Sequence, residues 1–188
     1  ALLTAAFKTG KTTVVNDLAR AYADERQFLN KFDVYPEEGR RVALFNYEVD
    51  ERQYLRWLKE AGIVHTDRVV TLNLRGYRMP LLTPSIEDWV VGWLSEHRVG
   101  MWVVDPFARA YTGCGDENDN SAVGTFLDTL DVIKDRAGVR DLVLTTHTGR
   151  AEQTEGRERA RGATRLDDWP DVRWNLAKND QGLRFFSA

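Results

Sequence analysis

Residues 1–13 constrain this chain more than any other stretch. A largely apolar run, Ala1-Leu-Leu-Thr-Ala-Ala-Phe7, passes into Lys8-Thr9-Gly10-Lys11-Thr12-Thr13 and then into a helical pattern. A strand that turns through glycine and lysine straight into a helix presents the unpaired first N–H groups of that helix, with the positive end of its dipole behind them. Such a turn is suited to phosphate. Gly10 would supply the tight turn, Lys11 the charge and Thr12 a hydroxyl for Mg²⁺. The expected cradle is Ala6, Phe7, Lys8, Thr9, Gly10, Lys11, Thr12 and Thr13.

This is the strand, loop and helix of a P-loop nucleoside triphosphatase, G-x-x-x-x-G-K-[ST], with one departure. Ala5 stands where the first glycine is usual. Alanine disfavours a positive φ, so a position that needed one would lose nucleotide affinity. The plainer alternative is a Gly-Lys-Thr in an ordinary strand-to-helix turn.

At 188 residues the chain is long enough to bury a sizeable core and is expected to form one domain over 1–188. Its 26 basic and 29 acidic residues leave a net charge of −3, which argues against a surface coated for nonspecific DNA binding. A narrow basic channel formed on oligomerisation stays open. No apolar run approaches the ~18–20 residues of a membrane span, and no signal peptide is visible. Cys114, in Gly113-Cys114-Gly115, is the one cysteine, so a cytoplasmic home and a bystander thiol are expected. The chain starts without methionine and already inside a strand, which suggests an N-terminally truncated fragment.

Downstream, apolar positions predict a helix over 12–29, a loop over 30–40 with a short strand near 32–34, and a buried strand over 41–48. A helix over 51–61 stops at Gly62, and a strand follows over 69–74. Thr83-Pro84-Ser85 opens a helix with Ile86, Trp89, Val90, Trp93 and Leu94 on one face. A strand over 100–105, a polar stretch over 112–121, a helix closed by Gly138 and a strand over 142–147 come next. A charged loop covers 148–162, and strands over 172–177 and 183–186 close the chain around an Asn179-Asp-Gln-Gly182 turn. Alternating strands and helices with continuously apolar central strands imply an α/β fold, a mainly parallel sheet covered on both faces.

Ligands of such sheets bind beyond the carboxyl ends of the strands. Four predicted strands end there in chemistry: the phosphate loop, Glu48, Asp105 and His147. Asp105 closes Met-Trp-Val-Val and fits a Walker B carboxylate for Mg²⁺; the alternative is a turn-capping acid before Pro106. Glu48 is placed to polarise an attacking water, unless it only caps the helix at Glu51, a task Asp50 performs equally well. His147 is a candidate γ-phosphate contact, whereas His65 and His97 lack such a context. In the loop after His147, Arg150, Arg157, Arg159 and Arg161 alternate with Glu152, Glu155 and Glu158, which reads as a solvated loop or as a segment reaching single-stranded nucleic acid or a neighbouring subunit.

Together these motifs resemble the RecA-fold P-loop ATPases, and most closely the RepA-type AAA-family ATPases of plasmids, phages and actinobacterial genomes, relatives of hexameric replicative helicases. The resemblance covers essentially the whole chain. Lys8-Thr-Gly-Lys-Thr-Thr13 is similar to the family's Lys-Ser-Gly-Lys-Thr loop, Leu44-Phe-Asn-Tyr-Glu48 to the strand ending in its catalytic base, and Val103-Val-Asp-Pro106 to its Walker B. Asp116-Glu-Asn-Asp119 before a helix is also typical, and 142–147 resembles the strand of the γ-phosphate sensor. Arg161-Gly-Ala163 and Asp171-Val-Arg-Trp-Asn-Leu-Ala-Lys178 resemble the segment carrying a basic finger that completes a neighbour's site. Lys178 is the best-placed finger, with Arg173 and Arg161 as alternatives; a lysine there gives a point charge where some relatives have an arginine fork. The resemblance implies a three-layer RecA-like sandwich with a C-terminal antiparallel strand pair, ATP and Mg²⁺ as ligands, and a homo-oligomeric ring or filament. It also implies a helicase or translocase acting on single-stranded DNA in plasmid or phage replication. A regulatory ATP-binding switch that never moves on DNA is the alternative function.

Overall fold

The computed structural model describes residues 1–148 and 164–188. Strands β1 (Leu2–Ala5), β2 (Arg41–Asn46), β3 (Val69–Asn73), β4 (Val99–Asp105), β5 (Asp141–His147), β6 (Arg173–Lys178) and β7 (Arg184–Ser187) form one sheet in the order β3-β2-β4-β5-β1-β6-β7. All neighbouring pairs are parallel except β6 and β7. The expected α/β sheet and its closing antiparallel pair are both present.

Side chains alternate across each strand, and the two faces feed two cores. Leu2, Ala43, Phe45, Trp102, Val104 and Leu144 pack with helices α3 (Pro84–Glu96) and α5 (Asn120–Arg136). Their neighbours Leu3, Leu44, Val103 and Val143 pack with α1 (Lys11–Asp24) and α2 (Glu51–Glu60). That is a three-layer, RecA-like sandwich. Two short helices, α4 (Phe107–Ala110) and α6 (Thr164–Asp168), have no counterpart in the sequence reading.

Local signals set most boundaries. Thr83 precedes Pro84 at the first position of α3, Asp50 caps α2, and Asp119 caps α5 by accepting from Ser121 and Ala122. Gly62 ends the α2 region at a positive φ of 70°.

Three expectations change. Helix α1 stops at Asp24 instead of 29, because Glu25 adopts the left-handed conformation and the chain doubles back. Asp17 accepts the N–H of Leu29 at 2.8 Å, and Phe28 is pulled into a cluster with Phe32, Trp174 and Phe186. Distant aromatic packing has overridden helical propensity there. In place of the short strand near 32–34 only a Phe28–Phe32 bridge forms. Trp89 stands at the margin of its helical stripe and is exposed, while Val90 and Leu94 face the core.

Candidate active site

The carboxyl ends of β1, β2 and β5 border a cleft of about 690 Å³, lined by the loop residues Phe7, Lys8, Gly10, Lys11 and Thr12 and, opposite them, by Glu48 and His147. A second cavity of about 520 Å³ lies at the other end of the strands, between Ala1, Phe28, Trp174 and Phe186, and holds none of the candidate residues.

The loop leaves β1 at Ala5, which pairs with His147 on one side and Leu176 on the other. Ala5 is therefore ordinary extended strand, and Lys8 (φ 61°) and Gly10 (φ 109°) take the left-handed conformations of the turn. The strain expected from alanine at position 5 does not arise. Thr9 closes the turn on itself, its N–H and hydroxyl both reaching the Ala6 carbonyl. Gly10 precedes α1 without a side-chain cap, and its carbonyl accepts from Val14. The first N–H groups of α1 are thus left to a ligand.

Lys11 is almost fully buried, and its ammonium has three oxygen neighbours. It lies 2.8 Å from Asp105 Oδ1, donates to Thr145 Oγ1 at 3.1 Å, and is 4.0 Å from Glu48 Oε2. Thr145 in turn donates its hydroxyl to Asp105 Oδ1. Asp105 is 2% exposed. Its partners are Lys11 and Thr145 and not a turn, so the capping alternative does not describe it.

Glu48 lies two residues beyond the end of β2, in a bend over 47–49, not on the strand as expected. Asn46 fixes that bend. It is fully buried, its Nδ2 donates to Val49 O at 2.7 Å and Asn73 Oδ1 at 3.0 Å, and its Oδ1 accepts from the N–H groups of Val49 and Glu48. Asp50, not Glu48, caps α2. Glu48 is left facing the cleft, with Oε2 3.9 Å from His147 Nε2. The His147 imidazole holds the Glu48 carboxyl below its usual range, and Lys11 acts in the same direction against the opposing effect of burial. At neutral pH Glu48 is therefore an ionised, proton-accepting group. The His147 ring also packs on Phe7, centroids 6.0 Å apart, while its Nδ1 is buried without a partner among the described residues.

The remaining candidates disperse. Lys178 ends β6 at the same edge as the loop, exposed and with no ion-pair partner among the described residues. Arg173 begins β6 at the far end and lies 3.0 Å from Asp167. Arg161, with the other alternating charges from Arg150 to Arg159, lies outside the described residues. His97 stacks on Trp93, away from the cleft. Burial raises the Cys114 thiol above its usual range, which suits a bystander.

Two residues escaped the sequence reading. Asn46 carried a signal, a polar residue inside an otherwise apolar strand. Arg184 carried none: it approaches the loop only because β7 folds beside β6, which is itself the neighbour of β1, and its Nε donates to Thr9 O at 2.7 Å.

A Mg²⁺ ion takes oxygen ligands and is usually bound through one or two carboxylates together with substrate phosphates. The Thr12 hydroxyl and the Asp105 carboxylate fit that donor set. Among the described residues no group of three or more His, Cys, Asp or Glu forms a metal site independent of a ligand. Nor, among them, is any helix long and apolar enough to cross a membrane.

The AAA domain family model matches residues 1–153, well over half of the chain. No curated protein matches it.

Proposed function

The chain belongs to the AAA domain family of P-loop ATPases, and on that premise we propose that it is an Mg²⁺-dependent ATP hydrolase that works as an oligomeric motor on single-stranded DNA in plasmid or phage replication. The observation that carries the hydrolase reading is the convergence of Lys11, Glu48 and His147 on one cleft, with Asp105 buried against the Lys11 ammonium.

Lys11 and the loop amides of 6–13 bind the triphosphate. Thr12 and Asp105 would hold Mg²⁺, which would neutralise charge developing on the phosphate. Glu48 takes a proton from the water that attacks the γ-phosphorus as the bond to the β–γ bridging oxygen breaks and ADP leaves, and Asn46 holds the bend that aims it. His147 orients the Glu48 carboxylate and lies within reach of the γ-phosphate side of the cleft. Phe7 backs its ring. Lys178 serves as the finger in trans, a role worth ~10³–10⁵ in rate where an arginine performs it. Its exposure at the carboxyl end of β6, the strand beside β1, supports that placement.

The motor reading rests on the likeness of 171–178 to the finger segment of ring helicases. The net charge of −3 favours the second reading, a regulatory ATP-dependent switch. ATP hydrolysis measured with and without single-stranded DNA, beside Lys11→Ala and Glu48→Gln, separates them. Turnover that rises with DNA and vanishes in both variants fits the motor. Turnover indifferent to DNA but lost in both fits the switch. No turnover in the parent protein refutes the hydrolase reading.

A further inference from the structure

Arg184 is 175 residues away from Thr9 in sequence and touches its carbonyl. The peptide between Thr9 and Gly10 is planar and trans, so its C=O and N–H point in opposite directions. Gly10 lines the cleft, whereas Thr9 and Arg184 do not. A guanidinium that grips the carbonyl from behind the loop therefore turns the Gly10 N–H forward, into the cradle. The fit is close: a Cβ on Gly10 would meet Arg184 Nε at 3.2 Å, in a backbone conformation (φ 109°) that L side chains rarely adopt. No carboxylate neutralises Arg184 among the described residues, and its two terminal nitrogens take no partner there.

We infer that Arg184, supplied by the last strand of the same chain, is a positioning residue of the phosphate loop that orients the Gly10 amide toward a bound polyphosphate and adds positive charge behind it. This rests on the reading of the loop as a nucleotide site. It differs from the finger assigned to Lys178, which acts on a neighbour; Arg184 acts on its own subunit. The two residues face each other across the β6–β7 pair, so the hairpin that carries the finger is also anchored to the loop.

The test uses Arg184→Ala and Arg184→Lys, with Phe186→Ala as a variant that loosens β7 through its contacts with Phe28, Phe32 and Trp174 without touching the loop. Binding of Mg-ATP is measured by calorimetry, and melting is followed with and without Mg-ATP. Arg184→Ala should weaken binding about tenfold and shrink the nucleotide-induced rise in Tm, while the Tm without nucleotide moves by only about 2 °C, as for an exposed substitution. Lysine should recover little, since it has no Nε–H in a planar fork. Phe186→Ala should show the opposite pattern, a lower Tm with binding retained. Unchanged affinity in Arg184→Ala, or a fall in Tm with affinity intact, overturns the inference. If the parent protein and Lys11→Ala both fail to bind Mg-ATP, the loop itself has been misread and the inference falls with it.

Discussion

Replacing Asn46 by alanine should separate how the bend that carries Glu48 is built from how the rest of the sheet is held. The side chain is fully buried and makes four hydrogen bonds, two to the backbone of Val49, one to the N–H of Glu48 and one to Asn73. At about 0.5–1.5 kcal/mol net per bond, complete loss would cost about 2–6 kcal/mol. Glu48 and Val49 are half-buried, so water recovers part of it, and we expect about 3 kcal/mol. For a chain of this size that is a fall in Tm of about 6–12 °C. If Glu48 is the base, a shift of ~1 Å in its carboxylate should also lower kcat by ~10²-fold with KM little changed. Urea unfolding followed by circular dichroism and a steady-state ATPase assay read the two effects. In a Glu48→Gln background the alanine should lower kcat no further, because the group it aims is already gone. Asn46→Asp keeps the acceptor but buries a carboxyl against Val49 O and Asn73 Oδ1. Its pKa should rise, so its stability should fall as pH climbs above about 4. A Tm within 2 °C of the parent for Asn46→Ala, or an additive loss of kcat in the double variant, would refute the reasoning.

Other outcomes follow from the same site. Asp105→Ala leaves the buried Lys11 ammonium short of its nearest carboxylate and should destabilise by about 3–5 kcal/mol in denaturant melts; Lys11→Met added to it should restore most of that, and failure to do so would mean the pair is not the cause. The folded-state pKa of Glu48 lies below its ordinary value of 4.5, so its contribution to stability is present above that value and lost as pH falls through the folded pKa. The stability gap between the parent and Glu48→Gln, measured by urea melts from pH 7 to pH 3, should therefore close below about 4.5; a gap constant with pH would contradict this. Cys114, its thiol raised by burial, should alkylate with iodoacetamide at pH 8 more slowly than free cysteine, as mass spectrometry would show.

Much of the architecture was legible because it is encoded locally. Apolar strands bounded by Gly, Pro, Asp and Thr caps announce a parallel α/β sheet, and Gly10-Lys11-Thr12 announces where its ligand end lies. What was not legible depends on contacts distant in sequence. Helix α1 ends early because Phe28 joins Trp174 and Phe186, 146 and 158 residues away. Glu48 lies off the strand because Asn46, buried beside Asn73, prefers to bond the following backbone over continuing the ladder. Ala5 causes no strain because its partners His147 and Leu176 keep it extended, which the loop motif alone could not reveal. Arg184 reaches Thr9 only through the strand order.

That order also sets a timetable. β1 pairs with β5 and β6, so the strand that launches the phosphate loop has no ladder partner until residues 141–147 and then 173–178 have been made. At ~5–20 residues per second on the ribosome, Leu2–Ala5 waits about 10–30 s for both neighbours. Lys11, Glu48 and Asp105 are all synthesised well before the sheet can gather them, and a nascent chain halted before β5 would carry those residues without their geometry. Nucleotide retention during synthesis would thus act as a clock for the arrival of β5.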